Sequence, residues 1–118
     1  MNTVIIVGRV GKDSEIKDYE SGRSRTTFSL AVNRWDSKTA SEVTDWFNCE
    51  VWDITNDLSS SGKKSRARLA YEYIKKGRLI SVEGRIRANT WQDQSGENRL
   101  SYIITVSDYR LLGSKKES

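Results

Sequence analysis

Two stretches decide how this chain folds: Thr26-Thr27-Phe28-Ser29-Leu30-Ala31-Val32-Asn33 and Asp45-Trp46-Phe47-Asn48-Cys49-Glu50-Val51-Trp52-Asp53. Each alternates in character every second residue, the pattern of a strand with one buried face. In the first, Phe28, Leu30 and Val32 form the apolar set, leaving Thr27, Ser29, Ala31, Asn33 and, by continuation, Trp35 opposite. In the second, Phe47, Cys49 and Val51 are the apolar partners, and Trp46, Asn48, Glu50 and Trp52 share the other face.

Three further runs read as strands: the β-branched residues 4–10, the alternating residues 79–90 and the closing residues 100–112. In the fourth strand Ile80, Val82, Gly84 and Ile86 point inward, with Ser81, Glu83, Arg85, Arg87, Asn89 and Trp91 outward. Turn residues separate the strands at Glu20-Ser21-Gly22, Asp36-Ser37-Lys38 and Asp93-Gln94-Ser95-Gly96. The exception is 63–76, where Leu69, Ala70, Tyr73 and Ile74 recur at helical spacing and Gly77 stands where a left-handed C-cap would. The Ser-rich segment 56–62 reads as a loop leading into that helix.

Five antiparallel strands with a helix between the third and fourth is the order of an all-β OB-fold, a five-stranded Greek-key barrel. An SH3-like barrel is the structural rival, but it does not normally carry such a helix there. The expected organisation is one domain over 1–112 and a short polar tail, 113–118.

The composition excludes most chemistry. In 118 residues there is no histidine or proline and a single cysteine, Cys49, so a His-dependent triad, a His-ligated zinc and an internal disulfide are all ruled out. No leader is evident, and the longest apolar run is 4–7, far below the roughly 20 residues of a spanning helix. A soluble domain of the cytoplasm or nucleoid is expected, an organelle remaining an alternative. The net charge is +4, unevenly divided: residues 1–62 carry −3 and residues 63–118 carry +7.

The tryptophans point to function. Trp35, Trp46, Trp52 and Trp91 all fall on the parity shared with polar residues, on three separate strands, with Arg85 and Arg87 beside them. One exposed tryptophan is ordinarily a packing residue; four on one parity make a surface that stacks flat π-faced ligands while Arg85, Arg87, Arg34 and Lys38 neutralise phosphate. Trp46 and Trp52 stand roughly 20 Å apart at strand rise, a span suited to several extended nucleotides. Duplex DNA hides its π-faces, so the expected ligand is a single strand, DNA or RNA.

Several motifs carry a family resemblance: Asn2-Thr3-Val4-Ile5-Ile6-Val7-Gly8-Arg9-Val10-Gly11, Phe28-Ser29-Leu30-Ala31-Val32-Asn33, Tyr73-Ile74-Lys75-Lys76-Gly77, Val82-Glu83-Gly84-Arg85-Ile86-Arg87 and Trp91-Gln92-Asp93-Gln94-Ser95-Gly96. In this order, through nearly the whole chain, they resemble bacterial-type single-stranded DNA-binding proteins. The resemblance implies sequence-independent binding of single-stranded DNA in replication, recombination or repair, no enzymatic activity, no cofactor or metal, and a homo-oligomer, a tetramer with a dimer as the alternative. It also implies stacking roles for Trp35, Trp46, Trp52 and Trp91.

Departures from the family are equally specific. Phe47 stands where His is common, and Asn48, Asn89 and Thr90 where basic residues are usual. The connection between Trp52 and Tyr73 is longer and brings Lys63, Lys64, Arg66 and Arg68, read as a solvated helix end. The chain ends Gly113-Ser114-Lys115-Lys116-Glu117-Ser118 where the family continues to an acidic tip. A shortened chain and a tail-less paralogue both fit that ending, and recruitment of other enzymes is not implied.

Two rival functions bound this reading. A nuclease needs clustered carboxylates, for which Asp13, Glu15, Asp18 and Glu20, or Asp53 and Asp57, are the candidates; interspersed with lysines, they read as surface residues. A protein-docking or scaffolding subunit would use the same exposed aromatics with weak or no nucleic-acid binding.

Overall fold

The structure is a computed structural model that describes residues 1–54 and 64–113. The predicted loop 56–62, Lys63, Asp57 and most of the predicted tail lie outside the described residues. The elements are β1 (Val4–Val10), β2 (Glu15–Asp18), β3 (Ser24–Asp36), β4 (Ser41–Trp52), α1 (Arg66–Tyr73), β5 (Leu79–Gln92) and β6 (Asn98–Leu112).

Five of these strands close a barrel in the order β1-β5-β6-β4-β3, with β3 returning to β1 through Arg9↔Ala31 and Val10↔Leu30. This is the OB-fold topology, with α1 between the third and fourth barrel strands. One pairing departs from the predicted antiparallel set: β6 runs parallel to β4, Cys49 opposite Ile104, because the β5–β6 hairpin returns the chain in the direction of β4. The strand β2 was not predicted. Glu15-Ile16-Lys17-Asp18 holds one apolar residue, and its order comes from the free edge of β3, which it pairs over Ser24–Thr27.

The apolar parities read from the sequence form the core: Phe28 and Leu30, Cys49 and Val51, Ile80 and Val82, Ile104 and Val106, with Val10, Ala70 and Ile74. Where β5 turns the barrel corner, a bulge at Glu83/Gly84 shifts its register against β6. A Cβ at Gly84 would lie 2.1 Å from the Thr105 carbonyl oxygen, so only glycine fits there.

Beyond the barrel, two hairpin arms continue, β3–β4 as far as Asp36↔Ser41 and β5–β6 as far as Gln92↔Asn98. The arms explain why the strands outrun their predicted ends. Ile86, predicted inward, keeps the core parity but sits where β5 leaves the barrel, and it is exposed.

Helix α1 is shorter than the predicted 63–76. The Ser65 hydroxyl caps it by accepting from the Arg68 N–H, and it stops at Tyr73 because Ile74 turns to extended backbone and buries fully. Gly77 therefore does not cap the helix; it serves the turn closed by Arg78 N–H donating to the Lys75 carbonyl. Ala67, Ala70 and Ile74 pack on the barrel, whereas Leu69 and Tyr73, predicted in the same stripe, are exposed.

Asp53 holds the helix start to the sheet, its two carboxylate oxygens accepting from the N–H groups of Ala67 (2.8 Å) and Ser24 (2.9 Å). It is buried, which overturns its reading as a surface acid. Among the described residues no helix is long and apolar enough to cross a membrane, and no three His, Cys, Asp or Glu residues gather to hold a metal.

Candidate nucleic-acid interface

Strand register builds one continuous face from residues of a single parity. Ser29, Asn48, Ile103 and Arg87 form one row across β3, β4, β6 and β5, and Thr27, Glu50, Thr105 and Arg85 form the next. On this face Trp46 stands opposite Ala31 at the root of the β3–β4 arm, Trp35 lies farther out on that arm, and Trp91 sits on the β5–β6 arm opposite Arg99. These three tryptophans are 67%, 60% and 47% exposed for Trp35, Trp46 and Trp91. Exposed indole has the flat π-surface on which planar ligands can stack.

The Trp46 ring lies across the backbone of Gly11. A Cβ at Gly11 would come within 2.4 Å of Trp46 Cζ3 and 3.0 Å of Cη2. Gly11 in turn is fixed to β3 by its N–H donating to the Ser29 carbonyl at 3.1 Å.

Trp52 differs from the other three. It is half-buried, stacked on Tyr19 (centroids 5.3 Å apart, planes at 30°), with the guanidinium groups of Arg23 and Arg25 at 5.0 and 5.4 Å from its ring. Of the four tryptophans read on the outer parity, three are thus open rings and one is clamped. A recess beside it is lined by Arg23, Trp52, Arg66, Arg85 and Thr105. The Arg85 side chain makes no hydrogen bond or ion pair with the described residues. Arg66 points here rather than standing as a solvated helix end, while Arg68 pairs with Asp18 at 3.4 Å and Lys64 pairs with Glu72.

Between the tryptophans the face sinks into a groove of about 540 Å³ lined by Lys12, Arg25, Asn48, Glu50, Arg87 and Asn89. Glu50 forms its floor and is 1% exposed. Its Oε2 accepts from Arg87 Nε (3.0 Å) and Thr105 Oγ1 (2.7 Å), and its Oε1 from Arg87 Nη2 (3.1 Å) and, longer, Arg25 Nη1 (3.4 Å). Burial pushes this carboxyl up, but hydrogen bonds from Arg87, Thr105 and Trp52 outweigh it and hold Glu50 below the ordinary glutamate range. Glu50 is ionised.

The remaining site residues divide. Arg85 and Arg87 share the tryptophan face, Arg87 with its guanidinium committed to Glu50. Arg34 has the opposite parity from Trp35 and pairs with Asp45 at 2.7 Å, so the structure separates it from the platform. Lys38 is exposed in the turn at the tip of the β3–β4 arm. The tip of the other arm is stiffened by Asp93, whose carboxylate accepts from the Ser95 hydroxyl and N–H, the Glu97 N–H and Arg99; these bonds, Ser95 first and Arg99 next, hold its carboxyl low.

Tyr19, Arg23 and Arg25 were not anticipated. The signal for Arg25 was present: extending the β3 alternation two residues back from Thr27 places it on the Trp parity, opposite Trp52. For Tyr19 and Arg23 there was none, since they reach Trp52 across the turn joining β2 to β3.

Comparison with known proteins agrees with this geometry. Residues 1–112 match the family model described as the single-strand binding protein family. The chain is 40% identical to single-stranded DNA-binding protein 1 of Synechocystis sp., over all of this chain and 88% of that one. It is equally 40% identical to single-stranded DNA-binding protein 1 of Nostoc sp., over 99% of this chain and 87% of that one. Among solved structures, the Plasmodium falciparum SSB complex with ssDNA superimposes with a TM-score of 0.76 at 28% identity, covering 96% of both chains. With the OB barrel, the tryptophan face and the match to 112 residues in agreement, the chain belongs to the single-strand binding protein family.

Proposed function

We propose that this protein binds single-stranded DNA without marked sequence preference, in replication, recombination or repair, and catalyses nothing. The observation that carries the reading is the single sheet face on which Trp35, Trp46 and Trp91 stand open around a groove containing Arg25 and Arg87, with Trp52 and Arg85 at its far side. Stacked bases contribute about 1–3 kcal/mol each on such rings, while cations along the groove follow the backbone. Trp35, Trp46, Trp91, Trp52, Arg85, Arg87 and Lys38 form the contact set; Arg34 is left out because it faces away. The names of the relatives and the bound strand in the Plasmodium falciparum structure support the same ligand class.

We further infer a homo-oligomer. Ile5 and Val7 are 68% and 50% exposed on the outer face of β1, and residues 4–7 pair with β5 on one side only, leaving an apolar edge for another copy. Light scattering reads the state directly.

The test of function is titration with oligo-dT while following tryptophan fluorescence. Quenching that weakens as salt rises is expected. No quenching at low salt would turn the aromatic face into a protein-docking surface.

A further inference from the structure

Resting on the single-stranded DNA reading, we propose that Glu50 is a built-in stand-in for phosphate: it occupies Arg87 in the unliganded groove and yields it to the DNA backbone on binding, thereby setting how strongly affinity depends on salt. A nucleic-acid groove with a buried, ionised carboxylate at its floor is electrostatically unfavourable for a polyanion unless that charge has a use. Here the geometry shows one. Arg87 meets Glu50 through Nε and Nη2 at 3.0 and 3.1 Å, the two-point arrangement guanidinium also makes with phosphate. The Arg87 side chain is 42% exposed while Glu50 is 1% exposed, so the arginine alone can swing to a ligand.

The exchange leaves no orphan. Without Arg87, Oε2 keeps Thr105 at 2.7 Å and Oε1 keeps Arg25 at 3.4 Å. Arg87 likewise passes from one anion to another. With Glu50 in place, the cluster of Arg25, Arg87 and Glu50 presents a single net positive charge to the groove where two arginines would otherwise act. Glu50 is therefore a positioning residue that tempers the electrostatic share of binding and leaves stacking dominant.

The experiment compares the unmutated chain with Glu50→Gln, measuring oligo-dT affinity by tryptophan quenching between 50 and 200 mM salt, with thermal melting of both as a check on folding. Because the Glu50 charge stays in the groove when Arg87 turns to the backbone and cancels one cation there, removing it is equivalent to one further single-strand contact, about 0.7 in the slope of log affinity against log salt. The expected result is a slope steeper by about 0.7 in Glu50→Gln, with affinity at 50 mM salt raised by about three- to tenfold. An unchanged or shallower slope overturns the proposal. Independently of any variant, the Arg87 Nε–H signal in proton–nitrogen spectra of the unmutated chain is expected to move on adding oligo-dT, and a stationary signal also overturns it. Failure of the unmutated chain to bind at all would instead remove the single-stranded DNA reading on which the proposal stands.

Discussion

Replacing Gly11 with alanine separates the stacking surface from the fold that carries it. The added Cβ would lie 2.4 Å from Trp46 Cζ3, about 1 Å inside ordinary van der Waals contact, and 3.2 Å from Ser29 Oγ. Those nearest atoms are the far end of an exposed indole, so the ring swings outward and the backbone stays in place. Removing glycine freedom from the unfolded chain stabilises by about 0.4–1 kcal/mol, which offsets the packing lost by the displaced ring, and the melting temperature is expected to move by less than about 4 °C. Binding behaves differently. A ring tilted off its position loses much of the roughly 1–3 kcal/mol of one stacked base, corresponding to about a five- to hundredfold fall in oligo-dT affinity. Paired melting curves and fluorescence titrations at one salt concentration are the assay. Affinity equal to the unmutated chain would refute the placement of Trp46 in the site, and affinity falling only in step with melting temperature would show that Gly11 serves the fold alone.

Other substitutions probe the remaining parts. Asp53→Ala removes the acceptor for the Ala67 and Ser24 N–H groups and is expected to cost about 2–4 kcal/mol in urea unfolding; a loss under 0.5 kcal/mol would contradict its role in fixing α1. Burial pushes the Cys49 thiol up to about 12 from 9.0, so alkylation at neutral pH is expected to run about a thousandfold slower in the folded chain than in denaturant, and comparable rates would contradict that burial. Glu50 has a folded-state pKa below its unfolded value of 4.5, so its contribution to stability is present above about pH 4.5 and is lost as pH falls through the folded value. Stability measured from pH 6 downward is therefore expected to decline less in Glu50→Gln than in the unmutated chain, and an equal decline would show that the Arg87 and Thr105 hydrogen bonds do not favour the ionised form.

The sequence carried the faces more clearly than the depths. Alternation in β3 and β4 separated Phe28, Leu30, Cys49 and Val51 from Trp35, Trp46 and Trp52 correctly, because a period of two admits only two sides. It could not show that the second side is concave. Glu50 shares the parity of Trp46 and reads as an outer residue, yet it is buried because the floor of a groove is enclosed by its own face. Trp52 was assigned to the right face, but its clamp by Tyr19 and Arg23 depends on the short edge strand β2, whose residues carry almost no periodic signal. Arg34 follows a simpler rule: adjacency to Trp35 in sequence sets it on the opposite side of the sheet, where it pairs with Asp45. The helix was found by spacing and overextended because Ile74, in register with Ala70, is buried by the extended turn that follows the last helical residue.

The central claim is that one parity of this barrel is the nucleic-acid surface, and photocrosslinking to an oligo-dT bearing 5-iodouracil, with the attached peptides mapped by mass spectrometry, tests it most directly. Crosslinks concentrated at Trp35, Trp46 and Trp91 are expected. Crosslinks to the β1 face around Ile5 and Val7, with those tryptophans unmodified, would contradict the account.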